Sequence, residues 1–173
     1  WPRTGVTVGS GTRSRAPRPA QSTTIDLDWF GTVAFLRAAG NEGGGLEIEV
    51  LHLEYSTMRH TDTGIIRLDA TLGELEALGI RPIPITADEP AGGAEVVNIG
   101  VPVQNLDEED WVLRRGECSL DEQVNLIEWR WLWLDVWAND CPGIIQGSSG
   151  SPLLSVGADG GPEAVVGMIN TTS

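Results

Sequence analysis

The chain has 173 residues, 40% of them hydrophobic and 21% charged, the balance of a globular domain with a substantial core rather than of a disordered polymer. Its 25 acidic residues against 11 basic ones give a formal charge of -14, which repels phosphate backbones and anionic bilayers, so nucleic acid is not an expected partner. No apolar run reaches the ~20 residues of a membrane-spanning helix, so no membrane span is expected.

Residues 1 to 22 are rich in Arg, Pro, Gly, Ser and Thr, a loop composition that is locally cationic. From Thr23 the pattern changes to short apolar and β-branched runs of strand length: TTIDLDWF, GTVAFLRA, LEIEVLHLEY, GIIRLDA, RPIPITA and EVVNIGVPV. In LEIEVLHLEY, Leu46, Ile48 and Val50 alternate with Glu47, Glu49 and Leu51, the mark of a strand with one buried face. ATLGELEALGI allows a turn or two of helix, which Gly73 and Gly79 keep short.

The acidic run Asp107 to Asp110 reads as a solvated loop or helix start. EWRWLWLDVW, residues 128 to 137, predicts a strand with Trp129, Trp131, Trp133 and Trp137 on one side and Leu132, Leu134 and Val136 on the other. Core packing between sheets is the expected role of these tryptophans, and a groove for sugar or peptide is the alternative. After CPGIIQGSSGSPLLSV, a GADGGP turn leads into a last strand, AVVGMI. Many short strands without long helices predict an all-β sandwich or barrel.

Cys118 and Cys141 are accompanied by no Cys/His grouping of metal-binding spacing, so no metal site and no cofactor are expected. In an oxidising compartment they would form a disulfide; two buried thiols are the alternative.

The chemistry concentrates in residues 141 to 154. Glycines at 147 and 150 let the backbone turn sharply and clear the approach to Ser149. That suits a nucleophile, and it leaves the N–H groups of Gly147 and Ser149 free to converge on an oxyanion during acyl transfer. A flexible linker has a similar composition, but a linker would not be embedded between a Trp-rich strand and PLLSV.

Gly147-Ser148-Ser149-Gly150-Ser151-Pro152 resembles the G-D-S-G-G/S-P nucleophile motif of the trypsin-like serine peptidases at five of six positions. The departure is Ser148. In animal trypsins an aspartate there pairs with a newly cut N-terminus, so the resemblance implies that this chain does not use that switch. A second match, TDTGIIRL at 61 to 68, resembles the family's D-I-A-L-L-R-L segment and makes Asp62 the orienting acid.

The resemblance covers roughly residues 23 to 173. It implies an all-β fold of two six-stranded antiparallel β-barrels, the first incomplete, divided as 1–80 and 81–173. It also implies a secreted or extracytoplasmic serine endopeptidase acting on a polypeptide substrate through an acyl-enzyme on Ser149. Gly143 would form the base of the substrate pocket and Gln146 its rim. Asn170, Thr171 and Thr172 would pair with substrate backbone. No carboxylate stands at the pocket base, so a preference for Arg or Lys is not expected.

A serine hydroxyl needs a base, normally an imidazole fixed by a buried carboxylate. Residues 1 to 51 contain no histidine, and Ser10 falls where a weak alignment would put it. The two histidines present, His52 and His60, stand outside the family's position for the base and read as structural. The expectation is therefore a chain inactive as it stands: a fragment, on the look of its two ends, or a pseudoprotease that binds without cutting. A Trp-rich carbohydrate-binding β-sandwich is the alternative from another class.

Overall fold

The computed structural model describes residues 4–8, 23–37, 46–107, 110–129, 131–145 and 147–170. These residues are mostly β. Their elements are β1 (Thr4–Val8), β2 (Thr23–Arg37), β3 (Leu46–Thr57), β4 (Thr63–Leu68), α1 (Leu72–Ala77), β5 (Glu95–Gly100), β6 (Arg114–Glu128), β7 (Trp131–Asn139), β8 (Pro152–Val156) and β9 (Pro162–Met168). They form a four-stranded sheet in the order β1-β2-β3-β4 and a five-stranded sheet in the order β7-β6-β5-β8-β9, with antiparallel neighbours throughout.

In the first sheet the period-2 pattern places the core. Ile48 and Val50 of β3 are buried while Glu47, Glu49 and Leu51 face solvent. Val33 pairs with Ile48 across the ladder, and Val33, Phe35, Ile48, Val50 and Ile80 form one cluster. The two runs TTIDLDWF and GTVAFLRA, expected as separate strands, are a single strand, β2. Its register against β3 shifts between Asp28 and Gly31, so the glycine marks a bulge and not a turn.

Helix α1 is as short as its glycines require. Thr71 caps it: the hydroxyl accepts from Glu74 N, and the Glu74 carboxylate accepts from Thr71 N at 2.8 Å. Gly79, at φ +82, ends it. The N–H of Gly79 reaches Glu76 O and that of Ile80 reaches Leu75 O, the double closure of a Schellman motif, which delivers Ile80 to the first core.

RPIPITA does not form the expected strand. Pro82 and Pro84 have no N–H to give a ladder, and only one parallel bridge forms, Ile85 to Val165. Thr86 N donates to Val165 O and Val165 N to Pro84 O, so the segment touches the β9 edge, with Ile85 83% exposed.

The second sheet is built around β5, which pairs with β6 on one side and β8 on the other. Val96, Leu120, Leu153 and Ile169 form its cluster, against which Cys118, Trp137, Cys141, Ile144 and Val166 pack. The Trp-rich segment differs from expectation at its start. The chain turns before Trp131, and Trp129 lies in that turn at φ +56 and 94% exposed, off the face that buries Trp133. Trp131 stacks on Trp133 at 6.1 Å between centroids. The indole N–H of Trp133 donates to Glu128 Oε2 at 3.0 Å. Leu134, expected on the opposite, covered face, is 37% exposed.

Candidate active site

The segment carrying Ser149 is held at its start by covalent and polar ties to β6. Cys141 is bonded to Cys118, with Cα atoms 4.6 Å apart. Asp140 Oδ1 accepts from Ser119 N at 2.6 Å, which holds its carboxyl below the usual aspartate range. Pro142 then lies directly over Gly116, where a side chain would crowd it. Gly143, the expected pocket base, is exposed at φ +75 with open space where a Cβ would stand.

Two consecutive turns shape the Ser149 loop. Ser148 N donates to Ile145 O and Ser151 N to Ser148 O. Gly147 stands at φ +96 with Val103 filling the place of a Cβ, and Gly150 at φ +86, so both positions require glycine. Gly150 N donates to Ile169 O and Ile169 N to Ser151 O, which stitches the loop to the end of β9. Ser148 and Ser151 are buried, and Ser149 between them is exposed.

Ser149 Oγ donates to the carbonyl of Asn170 at 3.1 Å. Among the described residues no acceptor takes the N–H of Gly147 or of Ser149. Both N–H groups lie within two residues of the exposed Ser149 hydroxyl along the chain. Gln146, Thr171, Thr172 and Ser10 lie outside the described residues.

Asp62 occupies a different neighbourhood. It lies at the surface just before β4, where partial loss of hydration, and next the charge of Glu128, raise its pKa above the ordinary 3.8. Glu128 ends β6. The Ser149 loop belongs to the opposite end of that strand, where Gly100 pairs with Arg114 and a Cβ on Gly100 would overlap Ser151 Oγ. The structure thus brings Asp62 to Glu128 and Ser149 to Asn170, and it makes no contact between the two.

The histidines also stay with the first sheet and the β7 edge. His52 of β3 faces Asp28 across the ladder, its Nε2 3.8 Å from Asp28 Oδ1. His60, at φ +65, bridges to Trp133, and its carbonyl accepts from Leu134 N. A cleft of about 400 Å³ opens between β5, β6 and the β8–β9 turn, lined by Glu95, Val97, Arg115, Glu117, Asp140 and Gly160, and no residue of the Ser149 loop lines it.

No family model, curated protein or solved structure matches this chain. Sequence reasoning overlooked the buried hydroxyls of Ser148 and Ser151, and Asn98, whose Nδ2 donates to Pro152 O at 3.1 Å. The density of small residues after Ile145 was the available signal: a loop that packs closely needs small polar side chains to satisfy its own backbone.

Proposed function

We propose that the Ser149 loop is the nucleophile loop of a trypsin-like serine endopeptidase scaffold, catalytically silent in this chain because no imidazole addresses the serine. One observation carries the reading. The exposed Ser149 hydroxyl stands beside two backbone N–H groups, of Gly147 and Ser149, that no described acceptor occupies.

The sheet order supports it. With β5 central and the hairpins β6–β7 and β8–β9 on either side, one more strand joining β7 to β9 would close a six-stranded antiparallel barrel. Secretion fits the Cys118–Cys141 disulfide, since such bonds persist in oxidising compartments.

In this reading a polypeptide carbonyl would be polarised by the two N–H groups while Ser149 Oγ attacks its carbon and a base takes the hydroxyl proton. The hydroxyl is instead given to Asn170 O. That bond, with Asp62 set beside Glu128, favours a second reading in which the same scaffold holds peptide without cleaving it. A sugar platform is less favoured, because Trp133 is buried with the half-buried Trp131 stacked on it, and Trp129 is the exposed tryptophan of this segment.

The test supplies the base from outside. A fluorophosphonate probe forms a phosphorus–oxygen bond to Ser149 and expels fluoride, the serine proton passing to added imidazole. Peptide mass spectrometry should show Ser149 labelled at least about tenfold faster than other serines when imidazole is present, because oxyanion stabilisation alone retains a large residual rate. Gly147→Ala should abolish the preference, since its Cβ overlaps Val103. Equal labelling of all serines would sink both peptidase-scaffold readings; preferential labelling with no cleavage of casein in imidazole would select the second.

A further inference from the structure

A buried hydroxyl in a loop needs a reason, and Ser148 supplies one through its partners. It is 3% exposed, at a position where burial of a polar group is unfavourable unless it is hydrogen-bonded. Its Oγ accepts from Ile145 N at 3.1 Å while its own N–H donates to Ile145 O at 2.9 Å. The turn is thereby closed from both sides, each residue satisfying the other. The next residue is Ser149, and the preceding glycine is pinned against Val103.

We infer that Ser148 is a positioning residue, an internal latch that holds the Gly147 and Ser149 N–H groups in place without any cleavage of the chain; the inference rests on the peptidase-scaffold reading for its consequence, but not for its geometry. Ser148 closes onto Ile145 the turn that contains the Gly147 N–H, and its own carbonyl, which accepts from Ser151 N, shares a peptide plane with the Ser149 N–H. Its carbonyl is held by Ser151 N and the following glycine by Ile169 O, which leaves the Ile145 side of the loop as the free end of the arrangement. The hydroxyl closes that end. A charged side chain at 148 would need an opposite charge brought from elsewhere to be buried there, whereas the serine finds its partner three residues away. Regulation of this site by a newly cut terminus is therefore replaced by a bond present in the intact chain.

The experiment is amide hydrogen exchange on the full chain, paired with the fluorophosphonate and imidazole reaction. In the wild type, the Ile145 amide should be protected. Ser148→Ala should raise its exchange roughly tenfold, the loss of one net hydrogen bond, and slow Ser149 labelling by a similar factor. The ladder amides between β5 and β8 should keep their protection, which a general loosening would not allow. Ser148→Thr retains the hydroxyl and should restore both values; Ser148→Val, of the same shape, should not. An Ile145 amide in the wild type that exchanges like an open loop, or equal exchange in the Thr and Val variants, would overturn the latch. If exchange behaves as stated while wild-type Ser149 reacts no faster than other serines, the latch stands and the peptidase reading falls.

Discussion

Asp62 shows how one residue's surroundings can oppose the role its motif suggests. A carboxylate that orients an imidazole is kept ionised by the charge it supports. Desolvation, and after it Glu128, push Asp62 the other way, toward holding its proton. The folded state therefore binds that proton more tightly than the unfolded chain does, and the penalty is fully present above the folded pKa. It shrinks as pH falls through that value and is gone below the ordinary 3.8. Asp62→Asn should accordingly stabilise the protein at pH 7, by under about 1 kcal/mol for so accessible a group, with the gain fading in acid. Urea unfolding at pH 7 and again below pH 3.8 measures it, and a variant less stable than wild type at pH 7 would mean that the carboxylate has a favourable partner. The turn around Ser149 was legible in sequence because its glycine neighbours act locally. The environment of Asp62 was not, because Glu128 meets it only through the tertiary fold.

Strands were readable wherever one face is apolar and the other charged, as in β3, and lost where charge interrupts the pattern. In β6, Arg114, Arg115, Glu117, Asp121 and Glu122 are exposed, and Leu120 is the buried residue; no periodic run announces the strand, although it pairs with both β5 and β7. RPIPITA failed in the opposite sense, apolar enough for a strand but short of donors. The element that the composition did foreshadow is the bond between Cys118 and Cys141, which ties β6 to the root of the Ser149 segment. Closing a loop of sequence separation 23 should contribute about 3 kcal/mol, chiefly by restricting the unfolded chain. The double variant Cys118→Ala, Cys141→Ala should lose that amount in denaturant unfolding, and reducing the wild type should reproduce the loss. Because the bond borders the second cluster and not the first, amides of β5 and β8 should lose protection before those of β2 and β3. Uniform loss across both sheets would show that they unfold as one unit.

The whole molecule is dominated by charge. Every one of the 11 basic residues is an arginine, and four of them fall in residues 1 to 22, where no acidic residue occurs, so the remainder of the chain carries the entire acidic excess. Among the described residues few ion pairs offset it: Arg67 with Glu54 and Arg115 with Glu117 are both at the surface. Like charges on a compact body repel over distances that salt shortens, to about 10 Å at 0.1 M ionic strength. Unfolding lets those charges separate, so self-repulsion favours the unfolded chain at neutral pH. Raising sodium chloride from 10 mM to 0.5 M should therefore raise the unfolding temperature at pH 7 by a few degrees, the shift that about 1 kcal/mol produces in a chain of this size. Near the isoelectric point of about 4.3 the net charge vanishes, and the same salt increment should do little. An unfolding temperature that falls with salt at pH 7 would instead mean that attractive pairs outweigh the repulsion.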